Sequence, residues 1–164
     1  TPNPGYASVL VGDGQGGFTQ NAVLRPGFNP FSVAAADFNG DGLVDVAAGS
    51  GEGGGAVAFW FRDDEGRFQP GGQYEAAAGP TRLAATDFTG DGRAVVVVTS
   101  YIGGEVAVLA GDGTTLYRLD PGGSPYGAAT GDFDGDGSAD FAIANDGVEY
   151  ISVFLSRSGH GEEK

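Results

Sequence analysis

The sequence predicts an all-β chain of β-propeller blades: three blades of about four antiparallel strands each, preceded by one leading strand. Three observations carry this. Short apolar runs alternate with clusters of Gly, Asp, Asn, Pro and Ser, and Gly alone supplies 32 of 164 residues, roughly three times its usual share. One Asp-rich loop recurs with its first Asp at 37, 87 and 132, and a Pro precedes each copy at 30, 80 and 125, so the chain repeats after 50 and then 45 residues. That is the period of a four-stranded propeller blade. Finally, no segment offers ten or more residues of the 3.6-residue apolar pattern, so no helix is expected.

The elements follow in order. Ala7-Ser8-Val9-Leu10-Val11-Gly12 reads as the leading strand (residues 7–12), and Asp13-Gly14-Gln15-Gly16-Gly17 as a turn. Phe18 opens the first repeat, Val23, Leu24 and Arg25 belong to an outer strand, and Gly27-Phe28-Asn29-Pro30 bends the chain. Ser32 to Ala36 runs as a small-residue strand into the first loop, residues 44–49 leave it, and 56–61 form the next strand after a glycine hairpin at 51–55. The plan repeats from Phe68 and again after residue 115, giving repeats of about 18–67, 68–115 and 116–157 within a single propeller segment, 1–164, with a tail at 158–164. Asp13-Gly14 and Asp112-Gly113 lack further oxygen ligands and read as plain turns. Trp60 aligns with Leu10, Leu109 and Phe154, an apolar position in every copy, so it is assigned to the core.

The loops carry the chemistry. In Asp37-Phe38-Asn39-Gly40-Asp41-Gly42-Leu43-Val44-Asp45, oxygen-bearing side chains stand at positions 1, 3, 5 and 9 and Gly42 at the sharp turn of position 6. This spacing lets alternate side chains converge on one hard cation, with the carbonyl of position 7, Leu43, completing the ring. Asp132, Asp134, Asp136, Ser138 and Asp140 repeat it in full. Asp87, Thr89, Asp91 and Arg93 repeat it without the third and last ligands, since Val95 holds position 9. Two complete Ca²⁺ sites and one degenerate site are therefore expected. Turn chemistry explains the glycines and one Asp or Asn, but not four oxygens in this spacing. Position 12 is Ala48, Val98 or Ile143 and no helix flanks the loop, which excludes an EF-hand. One loop per blade likewise excludes a nine-residue β-helix repeat. Phe38, Phe88 and Phe133, at position 2, are expected to wedge each loop onto the core.

The stretch from Val33 through Asp37-Phe38-Asn39-Gly40-Asp41-Gly42 to Asp45-Val46-Ala47, with Ser8 to Gly14 and Gly17-Phe18, resembles the bacterial FG-GAP/VCBS repeat. The resemblance spans roughly residues 7–157. It implies a propeller like those of integrin α-subunit heads, fungal lectins and secreted bacterial proteins, with Ca²⁺ in its rim loops. The match is complete at Asp37–Asp45 and Asp132–Asp140, and Thr89 and Val95 depart from it.

Composition bounds the rest. A formal net charge of −14 provides no basic face for nucleic acid. There is no cysteine, hence no disulfide framework or thiolate chemistry, and the longest apolar run, 94–102, is too short to insert in a bilayer. The chain starts at Thr1 and contains no Met, which suggests a processed or excised piece. His160, the one histidine, lies in the tail, where no held imidazole is expected, so no hydrolytic triad is assigned and the chain is read as a non-enzyme. The expected role is a secreted or cell-surface Ca²⁺-binding scaffold for a glycan or protein ligand. The alternatives are a non-catalytic propeller segment of a secreted polysaccharide-active enzyme, and a repeat unit that self-assembles. Three blades fall short of a closed ring, so either a partial propeller with further blades from a longer parent or a ring closed by self-association is expected.

Overall fold

The computed structural model describes residues 4–51 and 55–156. Among these are thirteen strands and no helix: β1 (Pro4–Gly12), β2 (Phe18–Phe28), β3 (Pro30–Ala36), β4 (Asp45–Ser50), β5 (Ala56–Arg62), β6 (Phe68–Glu75), β7 (Pro80–Thr86), β8 (Val95–Ser100), β9 (Glu105–Leu109), β10 (Thr115–Leu119), β11 (Ser124–Gly131), β12 (Asp140–Asp146) and β13 (Ile151–Phe154). They form four antiparallel sheets, each a meander in chain order: β1-β2, β3-β4-β5-β6, β7-β8-β9-β10 and β11-β12-β13. The first strands converge, with β7 lying against both β3 and β11. This is the arrangement of partial propeller blades. The Asp loops join the first and second strands of the three later sheets and so share one rim.

The sheets divide the chain in a different phase from the sequence repeats. Residues 18–28, expected to open the first repeat, pair backwards with β1, Ala7 opposite Leu24 and Gly12 opposite Phe18. The cause is local. The Asp13 carboxylate accepts the N–H groups of Gln15 (2.7 Å) and Gly17 (2.9 Å), which folds β2 onto β1 before the chain reaches the bend at Asn29. The leading strand is thus half of a two-stranded hairpin, equivalent to the third and fourth strands of a blade. The last sheet has three strands among the described residues, and the tail with His160 lies outside them.

Each first strand carries a Pro and a bulge at its start, Pro125 being the second residue of β11. The register slips between Pro30 and Ser32, Pro80 and Arg82, and Pro125 and Gly127. A residue without an N–H is tolerated there because the first strand is a sheet edge. The backbone before two of these prolines is left-handed, at Asn29 (φ 49°) and Gly79 (φ 65°).

Three cores fill the spaces between the four sheets. Leu24 meets Ala48, Ala58 and Trp60 in the first. Phe38, Val57 and Phe59 meet Val96, Val98 and Leu109 in the second, and Val97, Val106 and Val108 meet Phe141 and Ile143 in the third. Burial of such a side chain contributes about 1.5–3 kcal/mol. β8 and β9 sit between two sheets, so both faces are covered and the strands read as unbroken apolar runs. The outer sheets show the converse. Leu10 and Trp60 occupy equivalent positions, but Trp60 is 8% exposed beneath the hairpin and Leu10 55% exposed. In β13, Phe154 is covered, whereas Ile151 and Val153 face outward with no described sheet over them.

A recurrent side-chain bond closes the rim opposite the Asp loops. Ser50 Oγ donates to the Phe28 carbonyl (2.7 Å), Ser100 Oγ to the Ala78 carbonyl, and Asn145 Nδ2 to the Pro121 carbonyl (3.3 Å). All three residues lie at or next to the end of a second strand and tie it to the segment that delivers the first strand of the same sheet.

Candidate metal centre

The three loops share one backbone. Positions 4 and 6 are left-handed glycines in every copy: Gly40 and Gly42 (φ 82° and 83°), Gly90 and Gly92 (70° and 85°), Gly135 and Gly137 (80° and 86°). A side chain would be strained at both positions, so position 4 is as constrained as the position 6 turn that the sequence singled out.

The first carboxylate organises this turn. Asp37 Oδ1 accepts the Gly40 N–H at 2.7 Å and Oδ2 the Gly42 N–H at 2.7 Å. Asp87 takes Gly90 and Gly92 at 2.8 Å each, and Asp132 takes Gly135 at 2.7 Å and Gly137 at 3.0 Å. Position 5 accepts the N–H of position 7: Asp41 from Leu43 (2.8 Å), Asp91 from Arg93 (2.9 Å) and Asp136 from Ser138 (2.7 Å). Burial raises the Asp37 carboxyl, but the N–H groups of Gly42, Gly40, Asp41 and Asn39 outweigh it and hold it below its ordinary value. Asp87 shows the same balance, with Gly92, Gly90 and Thr89 prevailing over burial.

Position 9 lies deeper. Asp45 and Asp140 are both fully buried. Asp45 Oδ2 accepts the Phe38 N–H (3.0 Å) and Oδ1 the Arg62 N–H (2.8 Å). Asp140 Oδ2 accepts the Phe133 N–H (2.8 Å) and Oδ1 the Ser156 N–H (2.7 Å). The residue therefore staples its loop to the end of the third strand, a role the ligand spacing did not reveal. The two carboxyls shift in opposite directions. Desolvation raises Asp45, the Arg62 and Phe38 N–H groups oppose it, and the nearby charges of Asp41 and Asp37 push it further up. Asp140 is lowered, first by the Phe133 N–H and then by the Ser156 N–H and hydroxyl. The last sheet has no described sheet beyond it, which fits the weaker desolvation there.

The loops differ in what remains for a cation. In the third, carboxylate oxygens of Asp132, Asp134 and Asp136 lie within 4.8 Å of one another, and all three residues are exposed. An ionised carboxylate has about four lone-pair sites, so oxygens that already accept an N–H retain capacity. In the first, Asn39 Nδ2 donates to Asp41 Oδ2 (2.9 Å), and Asn39 Oδ1 accepts the Asp41 N–H (3.0 Å). The third loop fits a hard cation by its donor chemistry alone. In the first, Asp37, Asp41 and Asp45 form no such group among the described residues, and Asn39 stands where the third loop has Asp134. The middle loop keeps the turn but brings only Asp87 and Asp91. Thr89 Oγ1 is turned onto Asp87 Oδ1 (3.2 Å). Arg93 reaches across to the first loop, where a Cβ on Gly40 would fall 2.8 Å from its Nε. The two loops are also joined by the Ala94 N–H, which donates to the Asp37 carbonyl at 2.7 Å.

The loop phenylalanines grade with their cover. Phe38 is buried edge-on against Phe59 (5.3 Å between centroids), and Phe88 lies 5.5 Å from Phe141 of the following sheet. Phe133, with no described sheet after it, is 49% exposed. The wedge therefore works wherever a following blade exists. Asp13 and Asp112 cap turns, as expected: Asp112 accepts the Thr114 N–H (2.9 Å), which holds its carboxyl below the ordinary value.

A family model described as an FG-GAP-like repeat matches residues 1–48, 37–98 and 87–143, three matches that overlap at the first and middle Asp loops. No curated protein matches the chain.

Proposed function

The chain belongs to the FG-GAP-like repeat family, and from that premise we propose that it is an extracellular, Ca²⁺-stabilised β-propeller module that scaffolds the binding of a glycan or protein rather than catalysing a reaction. The observation that carries the cation is the cluster of Asp132, Asp134 and Asp136 oxygens on a turn held by its own amides. Ca²⁺ prefers several oxygen ligands in flexible geometry, and weak sites of extracellular modules suit millimolar Ca²⁺. Bound there, it would offset the mutual repulsion of these carboxylates and tie the turn between two strands. Asp132, Asp134, Asp136 and Asp140 would hold it in the third loop with the Ser138 carbonyl, and Asp37, Asn39, Asp41 and Asp45 with the Leu43 carbonyl in the first. No helix among the described residues is long and apolar enough to cross a membrane.

Affinity should follow charge count and ligand completeness. Asp136→Ala and Asp41→Ala are expected to weaken Ca²⁺ binding at least tenfold at their own loops, and Asp91→Ala to change the total response little. Val95→Asp should strengthen the middle site, because its left-handed glycines and amide bonds already match the other two. Arg93→Gln should tighten the first loop several-fold by removing a cation packed against Gly40. Titrations monitored by a competing Ca²⁺ dye check all five variants, and tightest binding at the middle loop would reverse the ranking.

Self-association is a second reading, favoured by the uncovered faces of the outer sheets. Leu10 and Tyr6 are exposed at one end, and Ile151, Val153 and Phe133 at the other. These positions face neighbouring sheets wherever a neighbour exists. A two-fold or larger ring would cover them. Light-scattering mass at micromolar concentration should therefore show a dimer or larger closed species. A well-behaved monomer would leave further blades in the same polypeptide as the way to cover these faces.

A further inference from the structure

The rim opposite the Asp loops carries a second cluster that the cation sites do not involve. Phe31 (59% exposed), Tyr101 (42%), Ile102 (81%) and Tyr126 (51%) surround an open groove of about 380 Å³, with Arg82 on its wall. Three sheets contribute: Phe31 and Tyr126 lie near the start of the first strands β3 and β11, and Tyr101 and Ile102 follow β8. An adjoining hollow of about 450 Å³ shares Tyr101 and Tyr126 and reaches Asp146.

Each of these side chains is supported from behind and open in front. The Phe31 ring lies on the Gly51 backbone, in the space a Cβ would need, and Ile102 lies on Gly79 in the same manner. Tyr101 and Tyr126 meet edge to face, 6.3 Å between centroids at 90°. The Tyr101 hydroxyl donates to Asp146 Oδ2 (2.9 Å). The Arg82 guanidinium stands 5.1 Å from the Tyr126 centroid, and its Nη1 donates to the Thr81 carbonyl (2.9 Å). Among the described residues no carboxylate pairs with Arg82, although the chain carries a formal net charge of −14. The groove therefore combines fixed aromatic faces with a guanidinium that no described carboxylate pairs, the group suited to carboxylate recognition.

We propose that this groove binds an acidic glycan. The open ring faces stack the C–H face of pyranose units, Arg82 takes a uronate carboxylate, and Asp146 accepts a sugar hydroxyl. A protein partner fits less well. The groove crosses strand ends rather than following a sheet edge, so it offers no strand addition, and it is open along its length, so it buries no deep side-chain anchor. The proposal rests on the scaffold role above and names its ligand class, but it does not depend on the cation loops of the other rim.

The test uses the full chain in calorimetric titrations with hexasaccharides of galacturonate and of guluronate, a neutral glucan hexasaccharide, and hexaglutamate. At least one uronate should bind, at least tenfold tighter than the neutral glucan and hexaglutamate. Tyr101→Ala and Tyr126→Ala should each weaken it at least tenfold, and Arg82→Gln should abolish the preference for the acidic over the neutral sugar. Asp64→Asn, in an exposed turn on the opposite rim, should leave it unchanged. A folded protein that binds no uronate overturns the proposal, as does uronate binding that survives both tyrosine changes or hexaglutamate binding equally well. Uronate binding in a protein with no Ca²⁺ response would uphold the groove while refuting the cation reading.

Discussion

The midpoint of thermal unfolding should rise by roughly 5–10 °C per filled loop when chelator is replaced by Ca²⁺ at a hundredfold excess over its Kd. The estimate rests on linkage: a ligand that binds only the folded state at that excess adds about 2.7 kcal/mol per site. For a domain of this size each kcal/mol shifts the midpoint by about 2–4 °C. The first and third loops each contribute one site, so the whole chain should gain about twice the single-loop effect. Mg²⁺ should restore little of it, because it demands a tighter octahedral shell than these exposed carboxylates define. Calorimetric scans in chelator, Ca²⁺ and Mg²⁺ check this, and superimposable scans in all three would remove the metal from the account.

Asp45→Ala should destabilise the protein by roughly 2–4 kcal/mol even in chelator. Its carboxylate is buried and receives the Phe38 and Arg62 N–H groups, and each orphaned donor costs about 1–3 kcal/mol. Asp140→Ala should act in the same direction but less, since the bonds it would lose are only partly buried. Acid should separate the two. Asp140 is lowered, so its contribution is present above its unfolded value and is lost as pH falls through the folded value. Asp45 is raised, so the folded state favours its protonated form and its contribution improves as pH falls. Between about pH 6 and pH 3, near the ordinary carboxylate value, the cost of Asp140→Ala should shrink and that of Asp45→Ala should grow. Urea unfolding of both variants in chelator reads the sign directly. Parallel changes would mean that the opposite environments of the two residues do not control their titration.

The blades and the loops were legible in the sequence because both are written as local pattern. Asp, Gly and Asp at fixed spacing specify the turn, and a Pro before each copy marks the start of an inner strand. The phase of the sheets was not legible. Phe18–Phe28 pairs with the strand before it because Asp13 closes the 13–17 turn, and the 45–50-residue period holds for any choice of blade boundary. The second role of Asp45 and Asp140 was hidden for a different reason. Ligand spacing places position 9 at the loop, but its N–H partners at Arg62 and Ser156 lie 17 and 16 residues further along the chain. Ser50, Ser100 and Asn145 did carry a signal: each is a polar residue at the same repeat position, at or next to the end of a second strand. The rim groove carried none, because Phe31, Thr81 and Tyr126 stand at one repeat position with different side chains, and only the converging sheets bring Tyr101 and Arg82 beside them.

The central claim, that these loops are cation sites rather than turns rich in aspartate, is tested most directly by isothermal titration of Ca²⁺ into the chelator-stripped chain. Two ions per chain are predicted, the tighter lost in Asp136→Ala and the weaker in Asp41→Ala. The absence of saturable binding up to several millimolar, or two ions that persist in both variants, would contradict it.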